Sequence, residues 1–395
     1  MSFRNAVLRD RYAAFEEYRS ISPFYDEELA SHIVLNFEHV DASLKIPCLS
    51  SNRKKSQFES VKGCPFADPL IEFYGQWLMY MDGEAHIEAR RLITIALSKA
   101  SKNVSELVEV YFYKHFNSLI ESGEYEYDII SKFSAPFVTS ILAEVFGIST
   151  TKYEQIIEIS KPIVTFLGNG DAGDREQRRM VAMSLVDTNE LLVQCIKECD
   201  DLESVIGNLI NKGVAVETIS PLLINIVIDG YDPLLAAINT FLLMIIQNLN
   251  SYSIKEMSEN LLFEELVRLE TPFQYCARIA MEDFELNGYK IKRGDRVMSF
   301  IAAANRDPKY FFQPTQILVR ENRNKNISFG TGSHVCPGGN LTKKISTKFY
   351  ELMRCSLHKL NVVHAEEKWL DSFGFRLLTN LNVEIEHEVK TVASR

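Results

Sequence analysis

The chain has 395 residues, 46% of them hydrophobic and 24% charged, and a formal net charge of −10. That length exceeds what one hydrophobic core usually spans, leaving two lobes or one large layered domain open, and the composition excludes collagen-like and disordered classes. The acidic balance argues against a general nucleic-acid binder, which needs a surplus of Lys and Arg on one face. The seven cysteines (Cys48, Cys64, Cys195, Cys199, Cys276, Cys336, Cys355) are odd in number and scattered, which fits a reducing cytoplasm better than a disulfide framework.

The first twenty residues alternate charged and apolar groups, so no signal peptide is expected. Residues 8 to 20 have a helical pattern, and His32 to Phe37 (HIVLNF) reads as a strand leading into a short helix. From Asp82 to about Leu249 the pattern is almost wholly helical, with breaks at Gly147, at Gly168 to Asp174 (GNGDAGD) and at Gly213. GNGDAGD buries little and supplies turn conformations, which makes it a candidate lid hinge. The most apolar stretch, Ser220 to Leu249, reaches transmembrane length but carries Asp229, Gly230, Asp232 and Pro233 at its middle, where charge is costly in lipid. A buried helix that serves a site is expected there, not a membrane span. From Phe284 the pattern turns to short alternating segments (FELNGYKI, RVMSFIAAA) with Asn287-Gly288 and Arg293-Gly294 at turns. A loop, one more helix and a final strand segment, LNVEIEHEV, complete the chain. No internal repeat is visible.

The strongest signal is Phe329 to Gly339, FGTGSHVCPGG, a glycine-rich turn carrying Cys336 that opens the helix LTKKISTKFYELM. A haem iron that must cleave an O–O bond benefits from a thiolate ligand. Gly330 and Gly332 let the chain fold tightly, Gly338 and Gly339 let backbone N–H groups approach the sulfur, and the helix N-terminus adds positive dipole character. This string is similar to the signature of the cytochrome P450 family, FGxGxHxCxG, at every specified position.

The resemblance implies that Cys336 binds the iron of haem b (iron protoporphyrin IX), that His334 contacts a haem propionate, and that Phe329 packs near the sulfur. Other segments resemble the family in the expected order. Glu265 and Arg268 in EELVR, three apart on one helix face, resemble the family's ExxR pair, which is buried and locks the segment beneath the haem. His86 and Arg90, at i and i+4, resemble its HxxxR pair, and Arg278 stands where a third propionate contact is common. Three basic residues around two carboxylates make electrostatic sense. The fold implied is mainly α with a smaller β region, a single domain over residues 1–395: a triangular helical domain with the haem between a long distal helix and the cysteine loop. On this reading β-rich parts fall at about 30–60, 284–302 and 370–390, and the helical lobe at about 82–270.

One departure bears on chemistry. The family's distal helix usually carries an acid followed by Thr, whose hydroxyl helps deliver protons; here the aligned residues are Asp229-Gly230-Tyr231-Asp232-Pro233, with Pro in place of Thr. Pro233 leaves the Asp229 carbonyl without its helical partner, so a kink is expected. Asp229 and Asp232 at i and i+3 place two like charges together, which raises one pKa. Substrate, or a water held by these acids, then replaces the Thr hydroxyl, and a basic group on the substrate would pair with Asp229; capping of a broken helix by Asp229 is the structural alternative. Ile317 replaces a usual aromatic, and Pro337 is placed in the first turn of the following helix.

The function expected is that of a cytoplasmic monooxygenase acting on a small organic molecule, free or carrier-tethered, in a biosynthetic pathway of secondary metabolism. Electrons would come from a ferredoxin or flavodoxin with its reductase, docking near Lys343, Lys344, Arg323 and Lys325. Two alternatives stand: a peroxygenase, isomerase or oxidative-coupling enzyme that dispenses with the Thr, and a non-catalytic haem-binding recruitment module.

Overall fold

The computed structural model describes residues 2–53, 61–169, 174–247, 256–320 and 325–386. Hydroxyl and carboxylate caps set the first helices: Ser2 caps Phe3–Arg9, and Asp10 both ends that helix and caps Arg11–Arg19 through Ala13 N. Their aromatic faces (Phe3, Phe15) pack on Ile33, Phe300 and Phe373, which seals one side of a five-stranded sheet.

That sheet has the order β1 (Phe24–Asp26), β2 (Ser31–Val34), β8 (Arg296–Ser299), β5 (Cys276–Ala280), β3 (Leu49–Ser50). β2 and β8 run parallel with Ile33 opposite Met298, and the other pairs are antiparallel, with Arg278 opposite Val297. Between β5 and β8 lies the hairpin β6 (Phe284–Leu286)–β7 (Tyr289–Ile291), turned at Asn287 and Gly288, both at positive φ. A second sheet joins β4 (Glu126–Asp128) to β10 (Leu378–Ile385) and β9 (Val362–Trp369).

The architecture is mainly helical with this smaller sheet region. Several element bounds differ from the sequence reading. The short helix expected after HIVLNF is Phe37–Ser43, which fills much of the first β-rich part, and Ile301–Ala304 is helical where alternation was expected, because a run of alanines favours helix. β4 lies inside the expected helical lobe, held by its pairing of Asp128 with Asn382 of the last strand, a partner far away in sequence. The C-terminal sheet starts at Val362, earlier than expected. Residues 170–173 of the hinge candidate, and Arg323, lie outside the described residues.

The organising element is the helix Val216–Gln247, which runs on unbroken through Pro221 and Pro233. Each Pro removes one N–H, and buried residues on both sides, among them Leu222 to Asn225 and Ile238 to Leu243, hold the helix in the core. It is long and apolar enough to cross a membrane, and most of it is buried inside the protein. The helix Gly339–Ser356 packs against it through Phe241 and Tyr350, whose rings stack at 3.8 Å, and Tyr350 OH donates to the Ala237 carbonyl at 3.1 Å. A cluster of Phe112, Phe116, Phe133, Phe137 and Phe349 backs the same contact. These contacts fix the cysteine loop, which feeds Gly339–Ser356, relative to the middle of the long helix.

Candidate active site

The cysteine loop closes on itself. Cys336 N–H donates to the Phe329 carbonyl at 2.8 Å, and Gly330 N–H to the Ile327 carbonyl at 2.8 Å. Gly330 and Gly332 stand at φ 73° and 74°, where glycine is favoured. Gly332 has a second reason: a Cβ there would lie 2.7 Å from the backbone oxygen of Leu44. Phe329 stacks on Phe263 at 6.0 Å and covers Gly339, whose Cβ would meet the ring at 3.3 Å. A Cβ on Gly338 would stand 3.9 Å from Cys336 Sγ. Gly338 N-caps the helix, so Pro337 precedes it and is not in its first turn: Gly338 ends the loop with φ −85° and ψ −2°. The surrounding protein pushes the Cys336 thiol up, while the N–H groups of Gly338 and Gly339 and the charge of Arg90 pull it down.

Four basic groups crowd beside the sulfur. His86, on the helix Gly83–Ala100, is buried at 3% exposure, and its Nε2 has no hydrogen-bond partner. Its ring stacks on His334 at 4.0 Å. Arg90, one turn on, donates to the Val335 carbonyl. Arg278, buried on β5, donates Nη1–H to the Ala277 carbonyl at 3.0 Å and acts electrostatically on His86. Burial first, then the charges of His334 and Arg90, lower His86 to about 4. His334 Nε2 lies 3.9 Å from Asp82. Against the upward push of burial, His334, Ser50 and the Ser51 N–H draw Asp82 down to about 2.

This donor set fits a haem. A buried imidazole nitrogen lacks a partner, and basic groups converge on a space where two carboxylates would satisfy them. Among the described residues no cluster of three or more His, Cys, Asp or Glu could hold a bare metal ion, whereas Cys336 alone suffices for an iron whose other ligands come from a porphyrin. A Cβ on Gly230 of the long helix would meet open space.

The two acids of the long helix part company. Asp229 acts electrostatically on Cys336, Tyr74 and Tyr80, while Asp232 acts on Tyr153 and Tyr231. Burial raises Asp229 to about 7, against the Asn225 amide that donates to Oδ2 and the positive Arg53; the like charge of Asp232 contributes least among these causes. Burial also raises Asp232. The rise expected from paired like charges is therefore mainly a burial effect. Asp229 caps no helix break, since the helix is continuous, and Pro233 follows one turn later, half-buried.

Behind the loop, Glu265 and Arg268 on the helix Glu259–Leu269 form a buried bidentate pair at 2.8 and 3.0 Å. Arg268 also donates to the carbonyls of Asn305, Pro314 and Gln316, and Glu265 accepts from Arg320 Nε at 3.0 Å and Leu318 N at 3.2 Å. Asn305, fully buried in the AANRDP segment, donates to Thr271 Oγ1 and Ser328 Oγ and accepts from Ile327 N at 2.9 Å. Arg320 and the role of Asn305 are absent from the sequence reading, because their partners lie tens of residues away. So are Arg53 and Tyr80, which the fold brings to Asp229. Lys343 pairs with Glu264 at 2.7 Å, and Lys344 donates to the Ser101 carbonyl at 3.2 Å, so neither head group is uncommitted.

A thiol in a tight glycine loop, opposite a long helix and flanked by buried basic groups, is the arrangement that a haem-thiolate site requires. The family model for cytochrome P450 matches residues 260–353. The chain is 23% identical over 391 residues to the biotin biosynthesis cytochrome P450 of Bacillus subtilis, covering 96% of this chain and 97% of that one. It is 25% identical over 370 residues to the pulcherriminic acid synthase of the same organism, covering 86% and 87%. Among solved structures, P450BioI in complex with hexadec-9Z-enoic acid ligated acyl carrier protein superposes with a TM-score of 0.82 at 21% identity, over 97% of this chain and 100% of that one. Epothilone D-bound P450epoK does so with 0.82 at 19% identity, over 96% and 97%. The matching family model, the relatives and the superposed structures all support the cytochrome P450 family for this chain.

Proposed function

We propose that this enzyme oxidises a small organic substrate in a biosynthetic pathway, using dioxygen and electrons from a separate ferredoxin or flavodoxin, with haem b ligated by Cys336. The observation that carries this reading is the Cys336 thiol, approached by the Gly338 and Gly339 N–H groups beside four basic side chains. Relatives named for biotin, polyketide and pulcherriminic acid biosynthesis support a pathway role. The acyl carrier protein complex of P450BioI makes a carrier-tethered substrate a reasonable form of delivery.

His86, Arg90, Arg278 and His334 would hold the haem propionates; His86 brings a ring nitrogen with no partner, and His334 already faces Asp82. Glu265 and Arg268 hold the strand-poor segment behind the loop, and Phe329 shields the sulfur with Gly330 at the turn. When bound, the haem supplies activation of dioxygen and transfer of one oxygen atom to substrate. The proton supply falls to this chain. With Pro233 offering no hydroxyl, Asp229 takes that position: its pKa of about 7 lets it both hold and release a proton near neutrality. The Asn225 amide occupies Oδ2, which leaves Oδ1 as the atom that carries the proton. Asp232 lies towards Tyr153 and Tyr231 and takes a secondary role.

Pro233 favours a second reading, a peroxygenase, isomerase or oxidative-coupling enzyme that has no need of the Thr. Turnover with peroxide alone, set against turnover with a redox chain and dioxygen, separates the two. In either case Cys336→Ser is expected to remove the thiolate signature of the ferrous–CO spectrum; a variant that keeps it places the ligand elsewhere.

A further inference from the structure

We propose that Arg53 and Tyr80 form an anion subsite in the substrate pocket, taking a carboxylate on the substrate and orienting it over Gly230. The proposal deepens, and rests on, the haem-thiolate monooxygenase reading above.

The geometry forms a chain of contacts. Asn225 of the long helix holds Asp229 on one side and reaches Met79 Sδ at 3.6 Å on the other. Met79 belongs to the short 3-10 turn Leu78–Tyr80, whose last residue is Tyr80. Arg53 lays its guanidinium over the Tyr80 ring, 4.6 Å from the centroid. Tyr80 is 1% exposed, and its hydroxyl has no hydrogen-bond partner. A buried hydroxyl left unpaired is costly and rare, so this one points to a ligand group. No carboxylate forms an ion pair with Arg53 among the described residues; it acts electrostatically on Asp229, a carboxyl that burial raises to about 7.

Counting charge leads to the same place. The two propionates of a haem would be neutralised by Arg90 and Arg278, and His334 already faces Asp82. Arg53 remains, and Arg296 of β8, hydrogen-bonded to Tyr275, lies within its electrostatic reach. This side of the pocket therefore has a surplus of positive charge. A planar guanidinium fork beside a free hydroxyl matches a carboxylate, which accepts from both. The sequence reading expected a basic substrate group to answer Asp229; Arg53 already brings positive charge to Asp229 from the protein itself, which disfavours a second cation on the substrate.

The test compares three ligands with one tail, dodecanoate, dodecan-1-ol and dodecylamine, by calorimetric titration of the haem-loaded enzyme. Dodecanoate is expected to bind about tenfold tighter than the alcohol, the size of one charge-assisted hydrogen-bonded pair. Arg53→Gln should erase that ratio while leaving the alcohol's affinity unchanged, Arg53→Lys should keep part of it, and Tyr80→Phe should weaken dodecanoate alone. Tightest binding of the amine, or a ratio unchanged in Arg53→Gln, overturns the subsite. Lack of a thiolate-haem spectrum in the wild-type protein would instead overturn the monooxygenase reading, and is read separately from the titration.

Discussion

Asp229 is the residue at which chemistry and stability meet. Its pKa is raised from 3.8 to about 7 by burial, so between these values the folded chain binds more protons than the unfolded one. Stability must then fall as pH rises across that window, and the penalty is complete above about pH 7. Asp229→Asn removes the titration and keeps the shape. Its stability advantage over wild type is expected to grow by about 2 kcal/mol or more between about pH 5 and pH 8, measured by denaturant unfolding. An advantage that does not change with pH would mean that the carboxyl is not held protonated. Pro233 belongs to the same argument. Pro233→Thr returns both a backbone N–H and a hydroxyl to the helix, and it should raise the fraction of consumed reductant that appears as product several-fold. No gain in coupling would leave Asp229 sufficient by itself.

Among the elements, the helix Glu259–Leu269 and the segment after it form a lock. Arg268 makes five hydrogen bonds, two to Glu265 and one each to the carbonyls of Asn305, Pro314 and Gln316. Truncating one partner of a buried pair strands the other, at a cost of about 3–5 kcal/mol. Arg268→Ala is therefore expected to lower the unfolding midpoint sharply and to reduce haem retention, and a loss within experimental error would show the pair to be solvated. Of this lock the sequence displayed only the i, i+3 spacing. That Glu265 also takes Arg320 and the Leu318 N–H follows from a loop folding back over the helix, which no local pattern encodes. The cysteine loop was far more legible, because its glycines, its Cys and its helix are contiguous and each answers a backbone or ligand demand within a few residues. Ile301–Ala304 was misread, since a short apolar run has no period long enough to tell strand from helix.

For the molecule as a whole, the long helix Val216–Gln247 joins what the sequence keeps apart. It carries Asp229 and Gly230 into the interior, binds Met79 through Asn225, and receives the helix of the cysteine loop through Tyr350. The broad class, mainly helical with a small sheet region, could be read from the alternation of patterns together with the family's motifs. The grouping of Arg53 and Tyr80 with Asp229 could not, since Asp229 lies more than a hundred positions after both and they meet only when the chain closes. Net charge was a poor guide for the same reason: a chain of −10 overall brings Arg278 and Arg296 within electrostatic reach of Arg53.

The cysteine loop is fastened at several points to segments far from it in sequence. Ile327 N is anchored to Asn305 Oδ1, Ser328 Oγ to the Val267 carbonyl, and Cys336 N to the Phe329 carbonyl, all by protein groups alone. A substitution at Asn305 is therefore expected to loosen the loop that carries Cys336 from a distance, through its anchor on Ile327.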